Sequence, residues 1–213
     1  MAIYEIKQSP RAGSRPDRPA MSQWSKAAEF YQQALQGDGL SKYAKQETAL
    51  ELANLYQQQK NYHKLLETLA LYKQFEGKLD DNWQLQQALA YLHTGQKSKA
   101  TTSAKPLLQK ISSINNNNLL QGLLYIYVNS QAYSQAAITA EKLLQLEPTN
   151  TDLWLRLSHI YIKANNFSKA ANTLLLAEQN GLALQAEHLQ LLIQLQAKSG
   201  NPHFAARLLQ QAI

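Results

Sequence analysis

The chain has 213 residues, of which 45% are hydrophobic and 17% charged, with a formal net charge of +6 and no cysteine. This composition is typical of a globular protein, and it excludes disulfides, thiolate zinc ligands and thiol catalysis. Lysine and arginine are spread along the chain and form no basic stripe, which does not favour a nucleic acid partner. No apolar run approaches the roughly 20 residues that a membrane span requires, so we expect a chain that does not cross a membrane.

The first 20 residues carry the signals of an irregular segment. Pro10, Pro16 and Pro19 each remove a backbone donor and disfavour helix at the preceding residue. We therefore predict that residues 1–20 form a disordered N-terminal arm. Their few apolar residues are interrupted as early as Glu5, so this segment also lacks the continuous apolar core of a signal peptide.

Apolar residues at three- and four-residue spacing predict an amphipathic helix from Met21 to Leu35. Its Trp24, Ala27 and Tyr31 have the spacing expected in the second helix of a helical hairpin. The first helix of that hairpin would fall in the proline-bearing segment. Either this is therefore a solitary capping helix, or the chain begins inside a longer array, which we favour. The apolar stripe then has no assigned partner, and we expect self-association or docking of a missing segment there.

From about residue 46 onward one motif recurs every 34 to 36 residues. Its clearest copy comprises Trp154, Leu157, Ser158, Tyr161, Asn165, Phe167, Ala170, Leu174 and Ala177. The pattern resembles the helix–turn–helix repeat of tetratricopeptide (TPR) proteins. The resemblance covers residues 21–213 and implies an all-α, right-handed superhelical solenoid, in which neighbouring repeats bury one another's apolar faces. After the N-terminal helix, about five repeats are predicted to start near residues 46, 81, 117, 151 and 186.

The second helix of most repeats carries an alanine where the two helices of a repeat should approach each other closely. These alanines are Ala100, Ala136, Ala170 and Ala205, whereas the first repeat has Leu65. A larger side chain there would push the two helices apart. Pro106 falls late in the second helix of repeat two and is expected to shorten or kink it.

The sequence offers little for catalysis or metal binding. No two histidines are spaced as i and i+4, the spacing with which one helix presents two zinc ligands. There is no glycine-rich phosphate loop, no nucleophile elbow and no carboxylate pair with an orienting partner. We therefore predict a protein that is not an enzyme, with no catalytic residues, metal site, cofactor or small-molecule substrate.

In TPR proteins the first helix of each repeat lines the concave groove, so the resemblance implies which residues contact a partner. The predicted groove is polar and largely neutral, with amide and phenol groups that can hydrogen-bond an extended or helical peptide. The predicted residues are Asn54, Gln57 and Gln58 in the first repeat, Leu85, Leu89 and His93 in the second, Gln121, Tyr125 and Asn129 in the third, Leu155, His159 and Lys163 in the fourth, and Gln190, Gln194 and Lys198 in the fifth.

One variant of the family holds a partner's C-terminal carboxylate with lysine or arginine and asparagine on adjacent first helices. Here Asn54 stands alone, and the basic groove residues Lys163 and Lys198 lie far along the chain, so this clamp is not expected. Lys163 and Lys198 occupy equivalent positions in adjacent repeats. They either flank an anionic group or are simply solvated.

Three features near the C-terminus carry a narrower resemblance: Leu-Glu-Pro at 146–148, Asn-Gly-Leu at 180–182, and Gly-Asn-Pro at 200–202 followed by Ala205 and Ala206. They are similar to TPR proteins found beside bacterial TonB, ExbB and ExbD. That resemblance implies a periplasmic accessory of uptake driven by the proton-motive force, with TonB, ExbB or ExbD as partners. A periplasmic location requires a leader peptide that is not visible here; otherwise we expect a cytoplasmic location.

The sequence therefore predicts a scaffold that binds a protein or peptide partner in its groove, with a bacterial envelope (TonB-type) transport complex as the favoured setting. One alternative is a cytoplasmic TPR adaptor or chaperone-like regulator. Another is a basic binder of nucleic acid or anionic surfaces that uses the charge of +6. Salt dependence separates these alternatives, because binding to phosphates weakens steeply as salt rises.

Overall fold

The computed structural model describes residues 18–181 and 185–211, and the chain divides into two compact units, Met1–Gly77 and Lys78–Ile213. The first unit contains α1 (Arg18–Gln36), α2 (Lys42–Gln58) and α3 (Tyr62–Gln74). The second contains α4 (Asp81–His93), α5 (Lys97–Gln109), a 3-10 helix (Ile111–Ser113), α6 (Asn117–Asn129), α7 (Tyr133–Leu146), α8 (Thr151–Lys163), α9 (Phe167–Gln179), α10 (Ala186–Lys198) and α11 (Pro202–Gln211).

The described residues form no strand, and the predicted all-α fold of helix–turn–helix repeats is confirmed. Within each unit the helices pack in consecutive pairs, in which α2, α4, α6, α8 and α10 are the first helices. Their respective second helices are α3, α5, α7, α9 and α11. Successive pairs also touch, as α7 does with α8 and α9 does with α10. None of the described helices is both long and apolar enough to cross a membrane.

Two residues after the end of each first helix, the chain has a residue in the left-handed conformation. These residues are Lys60 (φ 55°), Gly95 (φ 78°), Gln131 (φ 61°), Asn165 (φ 57°) and Gly200 (φ 86°). The next N–H then reaches back to a carbonyl in the last turn, as the Asn166 N–H does to the Tyr161 oxygen at 2.8 Å. This arrangement satisfies carbonyls that the helix end would leave unpaired, and it favours glycine or asparagine at the left-handed position.

Side-chain caps fix where several first helices begin. The carboxylate or amide oxygens of Asp80, Asn116 and Asn150 accept hydrogen bonds from N–H groups in the first turns of α4, α6 and α8. The Ser41 hydroxyl accepts the Ala44 N–H at 3.2 Å, so α2 begins at Lys42, four residues before the predicted start near 46.

At the N-terminus, α1 begins at Arg18 and so includes the last three residues of the predicted arm. Residues 1–17 of that arm lie outside the described residues. The expectation that the apolar stripe of α1 lacks a partner is wrong, because α2 packs against it. Ala27 and Ala28 are buried, and the Gln32 amide donates to the Tyr56 hydroxyl at 2.8 Å. Among the large apolar side chains described on α1, Phe30 is exposed, at 70%.

The core of the second unit depends on small residues where paired helices meet. Ala100, Ala136 and Ala170 are fully buried. The Ser158 hydroxyl of α8 donates to the Ala170 carbonyl of α9 at 3.1 Å, a bond that requires the two backbones to lie close together. Each alanine therefore sets the spacing of its helix pair, because protein interiors are close-packed and leave no room for a larger side chain.

Of the two effects predicted for Pro106, a shorter helix or a kinked one, the shortening does not occur. Pro106 lies inside α5, which has 13 residues, as many as α3 or α9. Proline cannot donate the hydrogen bond that the Thr102 carbonyl would accept. Both Pro106 and Thr102 are exposed, so water can solvate the carbonyl and the helix continues.

Candidate functional site

The clearest candidate site lies on the first-helix face of the second unit, where α4 contacts α6. The Tyr125 ring on α6 lies 6.3 Å from the His93 ring on α4, measured between centroids, with an interplanar angle of 35°. Tyr125 is 46% exposed. An exposed phenol beside an imidazole offers a partner a flat apolar surface with hydrogen-bonding groups at its edge. Both Tyr125 and His93 were predicted from the sequence to line the groove, and in the structure their rings lie side by side.

Leu85 was also predicted to line this face, but it belongs to the core, with only 7% of its surface exposed. The α6 backbone approaches it through Gly122, where an added Cβ would lie 2.8 Å from a Leu85 methyl carbon. The prediction for Leu85 was wrong because α4 turns this position towards α6. Leu89 and Leu155 are half-buried and pack against the same core, so each presents only part of its side chain to a partner.

The remaining predicted residues of the second unit are polar. The Asn129 amide donates to the Tyr125 carbonyl at 2.8 Å, which leaves its oxygen as the group available to a partner. Gln121 is half-buried on α6, one turn before Tyr125. Four further side chains are exposed on α8 and α10, namely His159, Lys163, Gln190 and Gln194. This face therefore offers amides, imidazoles, the Tyr125 phenol and the Lys163 amine.

Lys198 is exposed near the end of α10 and lies against an aromatic ring. Its amine lies 5.3 Å from the centroid of the Phe167 ring, at the start of α9, in a cation–π arrangement. Lys163 makes no comparable contact with a described ring. The two lysines occupy equivalent positions in successive repeats, and the two interpretations of them, flanking an anionic group or simply solvated, stay predictions.

The predicted residues of the first unit lie on α2, and this unit is described by itself. Asn54 and Gln58 are exposed, whereas Gln57 is half-buried. Between them Tyr56 is 2% exposed, and the Lys64 amine lies 5.4 Å from its ring centroid. The α2 surface is therefore an amide-bearing patch above a buried tyrosine.

A second concave feature was not predicted from the sequence. A cleft lies between α7 and α9, with α8 as its floor, and Trp154, Leu157 and Tyr161 line it. The repeat pattern marked these residues only as core positions, so no sequence signal distinguished the cleft. Elsewhere among residues 18–181 and 185–211, no cluster of three histidine or carboxylate side chains is arranged to hold a metal ion.

The fold is of the TPR type. Its helix pairs have alanines at their closest approach, left-handed turns follow the first helices, and the first-helix face is exposed. A family model described as a tetratricopeptide repeat matches residues 127–190, which span α7, α8 and α9 with parts of α6 and α10. No curated protein matches the chain in sequence.

Solved structures share the fold. MamA from Desulfovibrio magneticus RS-1, from residue 41 to its end, is 14% identical over 78% of this chain and 92% of its own, with a TM-score of 0.51. YrrB, described as a TPR protein with an unusual peptide-binding site, is 15% identical over 76% of this chain and 80% of its own, with a TM-score of 0.55. At these identities the similarity shows the fold alone.

Proposed function

We propose that this chain is a non-catalytic scaffold that binds a protein or peptide partner on the first-helix face of its second unit, centred on Tyr125 and His93. The observation that carries the proposal is the ring pair itself. Tyrosine is enriched at the energetic centres of protein interfaces, since it combines a large apolar surface with a hydrogen-bonding tip. A half-exposed tyrosine held beside a second ring fits that role.

The chemistry around the pair favours a partner with backbone and neutral polar groups. The amide oxygen of Asn129 and the side chain of Gln121 flank Tyr125 on the same helix. Side-chain amides pair with peptide N–H and C=O groups without requiring a charge on the partner. The description of YrrB as a protein with a peptide-binding site supports this class of partner, although it concerns that protein.

The test is recovery of partners from bacterial lysate by the tagged chain, read by mass spectrometry at low and high salt. Tyr125→Ala should abolish recovery of a partner that the parent chain retains at high salt. The matched control is Ile138→Ala, because Ile138 is 45% exposed but lies on α7, a second helix. Equal recovery by Tyr125→Ala and the parent chain would contradict the proposal.

The narrower proposal places this scaffold in a periplasmic TonB-type complex. Its support is the C-terminal sequence resemblance, above all Gly-Asn-Pro at 200–202, and neither MamA nor YrrB is named as part of such a system. Recovery of TonB, ExbB or ExbD by the parent chain and not by Tyr125→Ala would support it. Recovery of a single soluble partner would favour the adaptor alternative, and salt-sensitive recovery of nucleic-acid-associated proteins would favour the basic-surface alternative.

A further inference from the structure

The cleft between α7 and α9 has the dimensions of a binding site. Its volume is about 510 Å³, within the range of roughly 300–1,000 Å³ usual for ligand pockets. The second helices α7 and α9 form its walls and α8 forms its floor. It therefore lies away from the first-helix face, and the site proposed there does not account for it.

One end of the cleft is apolar and fixed in shape. The Trp154 indole N–H donates to the Pro148 carbonyl at 2.8 Å, which holds the ring in place. Leu176 on α9 lines the same cleft and is 47% exposed. A tryptophan ring held by a hydrogen bond and an exposed leucine provide apolar surface, which favours a bulky apolar side chain of a ligand.

The other end carries one anion and one cation. The Tyr161 hydroxyl donates to the Glu141 carboxylate, and the Lys169 amine lies 5.3 Å from the centroid of the Tyr161 ring. Burial and this hydrogen bond raise the pKa of Tyr161, so the phenol keeps its proton. The charges of Glu141 and Lys169 offset each other, and this end does not favour a ligand with a net charge of either sign.

Two amides line opposite walls between these ends. Gln145 lies on α7 and Asn172 on α9, both are exposed, and neither amide hydrogen-bonds another described residue. Each carries a donor and an acceptor on one planar group. A peptide backbone unit has the same pair of groups, so the two walls match the chemistry of a neutral peptide.

We propose that this cleft is a second partner site, which takes an uncharged peptide segment. One bulky apolar side chain of the partner fills the space between Trp154 and Leu176, and the adjoining backbone pairs with the amides of Gln145 and Asn172. This site is independent of Tyr125 and His93.

The test starts from short random peptides displayed on phage and selected on the full chain. Each enriched peptide, acetylated and amidated at its ends, is titrated by fluorescence anisotropy. Leu176→Glu puts a charge into the apolar end and should weaken binding about tenfold or more. Ile138→Glu is the matched control, because Ile138 is equally exposed on α7 but does not line the cleft. Tyr125→Ala should leave these affinities unchanged, which separates this site from the one on the first-helix face.

Asn172→Leu retains a similar volume without the amide and provides a second variant in case Leu176→Glu disturbs α9, which circular dichroism monitors. The supporting result is a set of uncharged peptides with a leucine, phenylalanine or tryptophan that lose affinity for Leu176→Glu and Asn172→Leu but bind Ile138→Glu normally. The proposal is overturned if no enriched peptide distinguishes Leu176→Glu from Ile138→Glu, or if the peptides that do so are charged.

Discussion

Tyr127 and Tyr161 occupy the same position in successive repeats but meet different surroundings. The Tyr127 hydroxyl is buried and has no hydrogen-bond partner among the described residues, whereas the Tyr161 hydroxyl donates to Glu141. We therefore expect one substitution, tyrosine to phenylalanine, to have opposite effects on the free energy of unfolding at the two positions. Phenylalanine keeps the ring that packs in the core and removes only the hydroxyl.

The expected magnitudes follow from these contacts. An unpaired buried hydroxyl costs roughly 1–3 kcal/mol, so Tyr127→Phe should stabilise the protein by about 1 kcal/mol. A hydrogen bond to a charged group contributes about 1.5–3 kcal/mol, but the exposed Glu141 regains water when the phenol is lost, so Tyr161→Phe should destabilise by about 1 kcal/mol.

Alkaline pH provides an independent measure at Tyr127. Burial raises its pKa to about 12, whereas tyrosine in an unfolded chain ionises near 10. The raised pKa therefore contributes stability that is fully present below pH 10 and is lost as the pH rises from there through about 12. Two pKa units correspond to roughly 3 kcal/mol. Tyr127→Phe should lack this part of the alkaline loss.

Urea unfolding followed by circular dichroism measures these differences, first near neutral pH and then across the alkaline range. The parent chain, Tyr127→Phe and Tyr161→Phe are compared under identical conditions, so that the other ionising groups cancel. The reasoning is refuted if both variants are destabilised at neutral pH, or if Tyr127→Phe loses stability with rising pH as steeply as the parent chain.

Three further substitutions test the core packing and one helix cap. Ala170→Trp should destabilise by about 3 kcal/mol or more, because overpacking separates α8 from α9; an unchanged thermal melt would exclude the helix pairing described. Leu85→Ala should lower the free energy of unfolding by about 2–4 kcal/mol, because Leu85 is a core residue. The same substitution at a groove position exposed to solvent would lower it by about 0.5 kcal/mol or less. Urea unfolding distinguishes the two. Ser41→Ala removes the cap of α2 and should cost about 1 kcal/mol in the same assay.

The fold could be predicted because its determinants are local and recur. Around α6, Asn116 supplies a cap, Leu120, Leu123 and Tyr127 supply a helical stripe, and Ala136 marks the close approach of the next helix. Each of these signals can be recognised in the sequence of one repeat or of its adjoining turn. Within each unit a repeat contacts mainly its neighbours. A correct prediction of one helix pair therefore predicts most of the helix packing in the unit.

The residues of the candidate site were harder to predict. Their exposure depends on how each helix is rotated about its own axis relative to its neighbours. Leu85 shares the helical spacing of a groove residue, and only the approach of Gly122 shows that α6 covers it. Lys198 has a long flexible side chain, and its contact with Phe167 in the preceding repeat is not indicated by the spacing of the motif. The cleft depends on the distance between α7 and α9, and no pattern in the sequence predicts that distance.

The two proposed sites share α8 and still do not overlap. At 3.6 residues per turn, Trp154, Leu157 and Tyr161 fall on the side of α8 that lines the cleft, and His159 falls on nearly the opposite side. A ligand in the cleft therefore leaves His159 and Tyr125 accessible. We therefore expect the two proposed sites to hold two partners at once, so Tyr125→Ala and Leu176→Glu should each remove one partner and leave the other. Such additivity is what a scaffold needs in order to bring two proteins together, and competition between the two sites would argue against that role.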